Sequence, residues 1–340
     1  MLSRLLTPVR LASAGLILLI VTVVILITRT SDHYLEVPDR AHPLSGLVKV
    51  PDAKDDADGG GIYYVDVLLK RASLLESVFP VVRPDGSDLI PLSEIVQPGI
   101  SEKQRFKLEL ADMRTSQIVA STVALRELGY RVPIRPGGLR VVAVTSDSHA
   151  GGLLRPGDVI VSADGKPVRT RDDLRIVLSS HKPGDEVELG VRRGKDVRVI
   201  TVRTTRDETD PKRPIIGILP SQALSVHFPF PIRFDLGDVG GPSAGLAFAL
   251  ELLEKRGRDV DHGYRVAATG EMQPDGRVTR IGGIKQKTIG ARKAHVDVFL
   301  VPTDGDNARQ AKRYANGLRI IPVKSFQQAL HALATLPPRA

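Results

Sequence analysis

The chain has 340 residues, 42% of them hydrophobic and 26% charged, and a formal net charge of +9. That length argues for two folded units, and that composition for ordinary globular protein rather than a disordered or fibrous chain. With no cysteine, disulfides, thiol catalysis and cysteine-based metal sites are excluded. The Lys and Arg are dispersed, with no long basic run and no stacking aromatics beside them, which argues against nucleic acid and fits a solvated surface near a membrane.

Leu11–Thr28, LASAGLILLIVTVVILIT, carries no charge. At 1.5 Å per residue it spans about 27 Å, close to the ~30 Å of bilayer hydrocarbon. Arg4 and Arg10 precede it, so residues 1–10 are expected in the cytoplasm and everything after residue 28 outside. The run is longer than the apolar core of a signal peptide, and ITRTSD offers no small-x-small cleavage site. The expectation is an uncleaved, single-pass anchor over 11–28.

Residues 29–61, with the polar, Gly-rich PDAKDDADGGG, read as a linker. Ile62–Lys70, IYYVDVLLK, is β-rich and reads as one strand. Ser101–Leu128 has Ile118, Val119, Thr122, Leu125 and Leu128 at helical spacing and stops at Gly129. Residues 62–130 are expected to pack on the C-terminal domain, with the 62–70 strand completing its sheet. Residues 131–205 form a β-rich module: a strand over GGLRVVAV, a tight Asp164-Gly165 turn between strands, a helix capped by Thr170, and a hairpin closed by Arg193-Gly194-Lys195. Residues 206–214, charged and Pro-containing, read as a second linker. From 215 to 340 strands and helices alternate, with helices opening at Ser243, Lys285, Asn307 and Ser325.

The run Gly152-Leu153-Leu154-Arg155-Pro156-Gly157-Asp158-Val159-Ile160, then Asp164-Gly165-Lys166-Pro167-Val168, then Asp172-Asp173-Leu174, resembles a bacterial PDZ domain of the protease-associated kind. The resemblance implies a groove that takes an extended peptide as an added strand, lined by Gly138, Leu139, Arg140 and Val141 and by Leu174 and Leu178. Core packing is the commoner job for each of these apolar residues alone.

Gly241-Pro242-Ser243-Ala244-Gly245 fits G-x-S-x-G, the pattern of the α/β-hydrolase nucleophile elbow. His262, His295 and His331 follow, in an order that a Ser-acid-His triad allows. But little chain remains after Ser243, no HGGG-type segment precedes it, and the PDZ-like module would interrupt the sheet. Ser243 also suits a plain helix cap. A Gly-rich turn opening a helix does supply free N–H groups and a positive dipole end, the parts of an oxyanion hole.

A lysine is the other base available to a serine. Gly-Pro-Ser243-Ala-Gly, then Thr269-Gly270-Glu271, then Gly276, then IGGIK with Lys285, resemble in order the Ser–Lys protease domain of the Lon family. Ser243 and Lys285 are 42 positions apart, similar to that family. With the anchor and the PDZ-like module, the chain resembles the membrane-anchored, PDZ-containing Lon-like proteases of bacteria. The fold expected is α+β and multidomain: transmembrane helix, β-rich PDZ-like module, and a Lon-type α/β proteolytic domain over 215–340.

The resemblance implies Ser243 as nucleophile, Lys285 as general base, Thr269 as the group orienting the lysine, and an oxyanion region at Gly240 and Gly241. Lys287 and Lys293 read as surface charges. The Lon family usually has Asp directly before Gly-Pro-Ser; here that position is Gly240, with Asp238 two residues earlier. No G-x-x-x-x-G-K-[ST] occurs, so no P-loop and no ATP are expected, nor any cofactor or metal. The implied partners are polypeptide substrates, the bilayer of a bacterial cell membrane, and further copies of the chain, up to a hexameric ring. The alternative is a peptide-binding scaffold that keeps the fold and has lost the chemistry.

Overall fold

The computed structural model describes residues 8–54, 59–96, 100–146 and 148–337. Residues 1–7 of the expected cytoplasmic segment 1–10, and residues 55–58 of PDAKDDADGGG, lie outside them, while residues 8–10 begin the first helix. Helix α1 (Pro8–Thr28) is the one helix among the described residues long and apolar enough to cross a membrane. Within residues 11–28 all residues are exposed except Leu26, which is partly buried.

Strand β1 (Thr30–Pro38) follows immediately and corrects the linker expected over 29–61: Tyr34 and Leu35 are buried. Asp32, His33 and Glu36 dilute its apolar signal, so its neighbours hold it in place. The stretch read as one strand over 62–70 is two strands, β2 (Gly61–Tyr64) and β3 (Val67–Ser73), in different sheets. Ser73 caps the short helix α2 (Leu74–Val78). β1 runs antiparallel between β3 and β4 (Asp88–Pro91). The long helix α3 (Glu102–Glu127) begins at a reciprocal Ser101–Gln104 cap and ends before Gly129, whose φ of 86° suits glycine.

The β-rich module holds β5 (Ile134–Val144), β6 (Val159–Ala163), α4 (Arg171–Leu178), β7 (Glu186–Arg193) and β8 (Asp196–Arg203). Its antiparallel sheet runs β8–β7–β6–β5 and is completed by β9 (Ile218–Val226), a strand that follows the module in sequence. The linker expected over 206–214 is an ordered turn. Thr205–Arg206 pairs with Pro214–Ile215, and the Asp207 carboxylate accepts from Thr209, Asp210 and the Arg213 guanidinium.

The C-terminal domain is three layers. Its sheet runs His42–Pro43, β2, β10 (Arg265–Ala268), β11 (Val298–Pro302) and β12 (Arg319–Val323), parallel from β2 onward. Side chains alternate across it as the pleat requires. Val266, Ala268, Val298 and Leu300 face a core shared with α3, the helix Gly245–Lys255 and the last helix, Phe326–Ala334. Ala267, Phe299 and Val301 face the helices Ile284–Lys293 and Asn307–Tyr314. Because β2 precedes the β-rich module and β10 to β12 follow it, the module is an insertion in this domain.

Candidate active site

Helix α5 (Gly245–Lys255) is buried along its whole length, and the apolar run that follows GPSAG explains why. Ser243 precedes it in a turn and is part-exposed. It is not a cap: the cap residue is Ala244, with no side-chain cap bond. The Ser243 carbonyl is fixed by Gly270 N–H at 2.8 Å and Thr269 Oγ1 at 3.1 Å. Its hydroxyl is left to face α6 (Ile284–Lys293).

The side chain that α6 sends to it is Lys287, not Lys285. Lys287 Nζ lies 2.5 Å from Ser243 Oγ and 3.5 Å from Thr269 Oγ1. Lys285 turns away, and its Nζ lies 2.5 Å from Asp88 Oδ1 and over the Tyr314 ring. The expected base is therefore corrected, and helix geometry is the reason. Positions two apart on an α-helix differ by about 200° and cannot share a target. Ile284, Lys287 and Ala291, at i, i+3 and i+7, share one buried face, and Gln286, Thr288 and Gly290 are buried as well. That apolar register was present in the sequence, and it marks Lys287 as inward. The reading of Lys287 as a surface charge is overturned with it, since the residue is 3% exposed.

Burial pushes the Lys287 ammonium down from 10.5 to about 8, against the opposing pull of the Asp66 and Glu36 carboxylates. Burial raises both of those carboxyls. Glu36 comes from β1, the segment expected to be a linker, and sequence gave no sign of it. Gly283 opens α6 at φ 67°, where a Cβ would meet Glu36 Oε1 at 2.7 Å.

Thr269 is where the resemblance puts it, buried and within reach of both partners. Gly241 is not a free donor: its N–H is bonded to Glu109 O at 2.9 Å. The N–H groups of Gly240 and Ser243 have no hydrogen-bond acceptor among the described residues. The helix α3 braces this loop, with Ser116 Oγ donating to Pro242 O at 2.9 Å. It also accounts for Gly240. A Cβ there would lie 2.7 Å from Glu109 Cβ and 3.5 Å from Glu109 Oε2, so an acid from α3 fills the space an Asp side chain would need. Gly240→Asp is expected to lower peptide cleavage by about tenfold and stability by roughly 1–3 kcal/mol through overpacking. Rate and thermal unfolding measured side by side check this.

His262 sits beside Asp259 and His295 lies in a left-handed turn after α6. The Ser243 hydroxyl has Lys287 as its partner, and no histidine contacts it among the described residues.

The edge expected to take an added peptide strand is not free. The edge of β5 at Leu139, Arg140 and Val141 is already paired, with Gln222, Ser221 and Pro220 of β9. Gly138, at φ 113°, has its Cβ position against Ile160 O and so belongs to the sheet. Leu174 and Leu178 do face a cavity, of about 720 Å³, but its opposite wall is Pro214–Pro220, leading into β9. β9 ends the sheet. The Arg171 guanidinium donates to Pro220 O, and Gln222 Nε2 donates to Arg169 O at 2.8 Å, tying α4 to that strand.

Comparison with known proteins agrees with both halves. Residues 122–204 match the PDZ domain family and residues 222–335 the Lon protease (S16) C-terminal proteolytic domain. Lon protease 2 of Bacillus subtilis is 31% identical over 125 residues, covering 36% of this chain and 21% of that protein. Lon protease of Rhizobium meliloti is 36% identical over 100 residues, covering 28% of this chain and 12% of that protein. The chain thus spans about a fifth or less of the length of these relatives. Among solved structures, the PDZ domain of the SdrC-like protein from Listeria monocytogenes is 27% identical, with 25% of this chain and 87% of that chain covered and a TM-score of 0.23. The chain therefore carries a PDZ-like module followed by a Lon-type proteolytic domain.

Proposed function

We propose that the chain is a membrane-anchored serine endopeptidase that works without ATP, with Ser243 as nucleophile and Lys287 as general base. The observation that carries this is the 2.5 Å contact between a part-exposed serine hydroxyl and a buried lysine whose ammonium is destabilised. Neutral Lys287 takes the Ser243 proton as Oγ attacks the peptide carbonyl, and then returns it to the leaving amine. Water repeats the cycle on the acyl-enzyme, with Lys287 again as base. Thr269 orients the lysine, and the N–H groups of Ser243 and Gly240 receive the oxyanion. The absence of a phosphate-binding loop in the sequence supports independence from ATP, which directs the enzyme to unfolded or flexible segments.

The PDZ module delivers such segments. An extended peptide adds to the outer edge of the Ile216–Leu219 stretch, beneath Leu174 and Leu178 of α4. Ile218→Glu is expected to weaken binding of a fluorescent, extended apolar peptide to the Ser243→Ala chain by about tenfold, or 1.4 kcal/mol. Val197→Glu, on the exposed far edge of the same sheet, is expected to leave anisotropy titrations unchanged.

The function itself is tested with the full chain in detergent, unfolded casein and no nucleotide, followed by gel and mass spectrometry. The reading requires cleavage by wild type and none by Ser243→Ala. Equal cleavage by both would overturn it.

A further inference from the structure

The segment Leu74–Val82 leaves unusual apolar surface uncovered. Val81 is 89% exposed and Val78 61%, with Phe79 and Val82 also exposed. Isolated exposed apolar residues need no explanation, but a contiguous set does. Its place in the fold supplies one. Thr30, two residues beyond α1, pairs with Ser73, and Leu74 N–H donates to Arg29 O at 2.9 Å. Helix α2 packs against α1, and the partly buried residue of α1 is Leu26, in the last turn of the apolar span. The exposed apolar turn therefore stands beside the last turns of the membrane helix.

We propose that Leu74–Val82 is a second membrane contact, seated at the boundary between headgroups and acyl chains next to α1. This rests on the reading of α1 as an anchor. The segment is suited to lipid because its backbone is largely satisfied from within, which the apolar phase demands. Phe79 N–H donates to Leu75 O, Val82 N–H to Phe79 O and Arg83 N–H to Pro80 O. Pro80 has no N–H to leave unpaired. The Arg83 guanidinium donates to Glu76 O at 2.6 Å and Ser77 O at 2.9 Å, closing the carbonyls that a short helix leaves open. Ser73 and Glu76 close its other end reciprocally. Arg29 adjoins the apolar turn through its carbonyl, and its exposed basic side chain can reach the headgroups, while Lys70 and Arg83 are engaged with α2 itself. Two contacts fix the orientation of the protein on the membrane, which a single helix leaves free to swivel.

The chain has no cysteine, so single sites can be labelled in the full chain. Val81→Cys, Ile20→Cys in α1 and Val197→Cys on the PDZ sheet, each carrying an environment-sensitive fluorophore, are reconstituted into phosphatidylcholine–phosphatidylglycerol vesicles. Lipids brominated along the acyl chain serve as quenchers. The expected result is about a twofold or greater loss of fluorescence at Ile20 and at Val81, strongest at Val81 with bromine close to the headgroup, and none at Val197. Quenching at Ile20 with none at Val81 overturns the proposal while the anchor stands. If the Val81→Cys chain then forms disulfide-linked dimers, the surface belongs to a second copy. Absence of quenching at both positions overturns the anchor and the membrane contact together.

Discussion

Lys287→Ala is expected to abolish peptide cleavage, with a loss of about a thousandfold or more, while Lys285→Ala is expected to stay within about twofold of wild type. The two lysines are separated by one residue and differ in burial and in what their ammonium groups touch. Lys287 is 3% exposed and touches Ser243 Oγ and Thr269 Oγ1. Lys285 reaches a part-exposed Asp88, an ion pair of the kind worth at most about 1 kcal/mol. Rates on a fluorogenic peptide, with circular dichroism to show that each variant is folded, check this. The inverse pattern, with activity lost in Lys285→Ala and kept in Lys287→Ala, would reverse the assignment.

Lys287→Met is expected to be more stable than wild type while inactive. The unfolded chain holds the lysine proton up to about 10.5, and the folded chain releases it near 8. Below pH 8 both states are charged, and the folded state bears the full penalty of the buried ammonium, about 3 kcal/mol for that difference in pKa. Between pH 8 and 10.5 the unfolded state binds more protons, so wild-type stability rises with pH across that window. Methionine removes the charge at similar length, and the lost Ser243 hydrogen bond offsets part of the gain. The net expected at pH 7 is about 2 kcal/mol, on the order of 5 °C in thermal unfolding. The gain should shrink as the pH is raised towards 10. Stability sacrificed at a catalytic group is a common exchange in enzymes.

Much of the architecture was legible because it is written locally. The helix Asn307–Tyr314 shows a clear amphipathic period, the Ser101 and Thr170 caps are explicit, and Asp164-Gly165 marks its turn with positive φ at both residues. What failed to show was written at a distance. β1 is held by β3 and β4 rather than by its own pattern. β9 reads as the first strand of the protease domain, yet it completes the sheet of the β-rich module and occupies the edge of β5. Ser243 was legible from its motif and Thr269 from its place in the resemblance. Lys287 was missed because two lysines share one motif, and only the facing of the helix separates them. Gly240 has a reason visible only in three dimensions, in the approach of Glu109 from α3.

The dependence of rate on pH tests the dyad most directly, since it reads the proton that Lys287 must give up. With a fluorogenic peptide that has no titrating group between pH 6 and 10, kcat/KM is expected to rise about tenfold from pH 7 to pH 9 along one ionisation near 8. Lys285→Ala should show the same midpoint. A profile flat across this range, or one climbing only towards the 10.5 of an ordinary lysine, would contradict Lys287 as the buried base that activates Ser243.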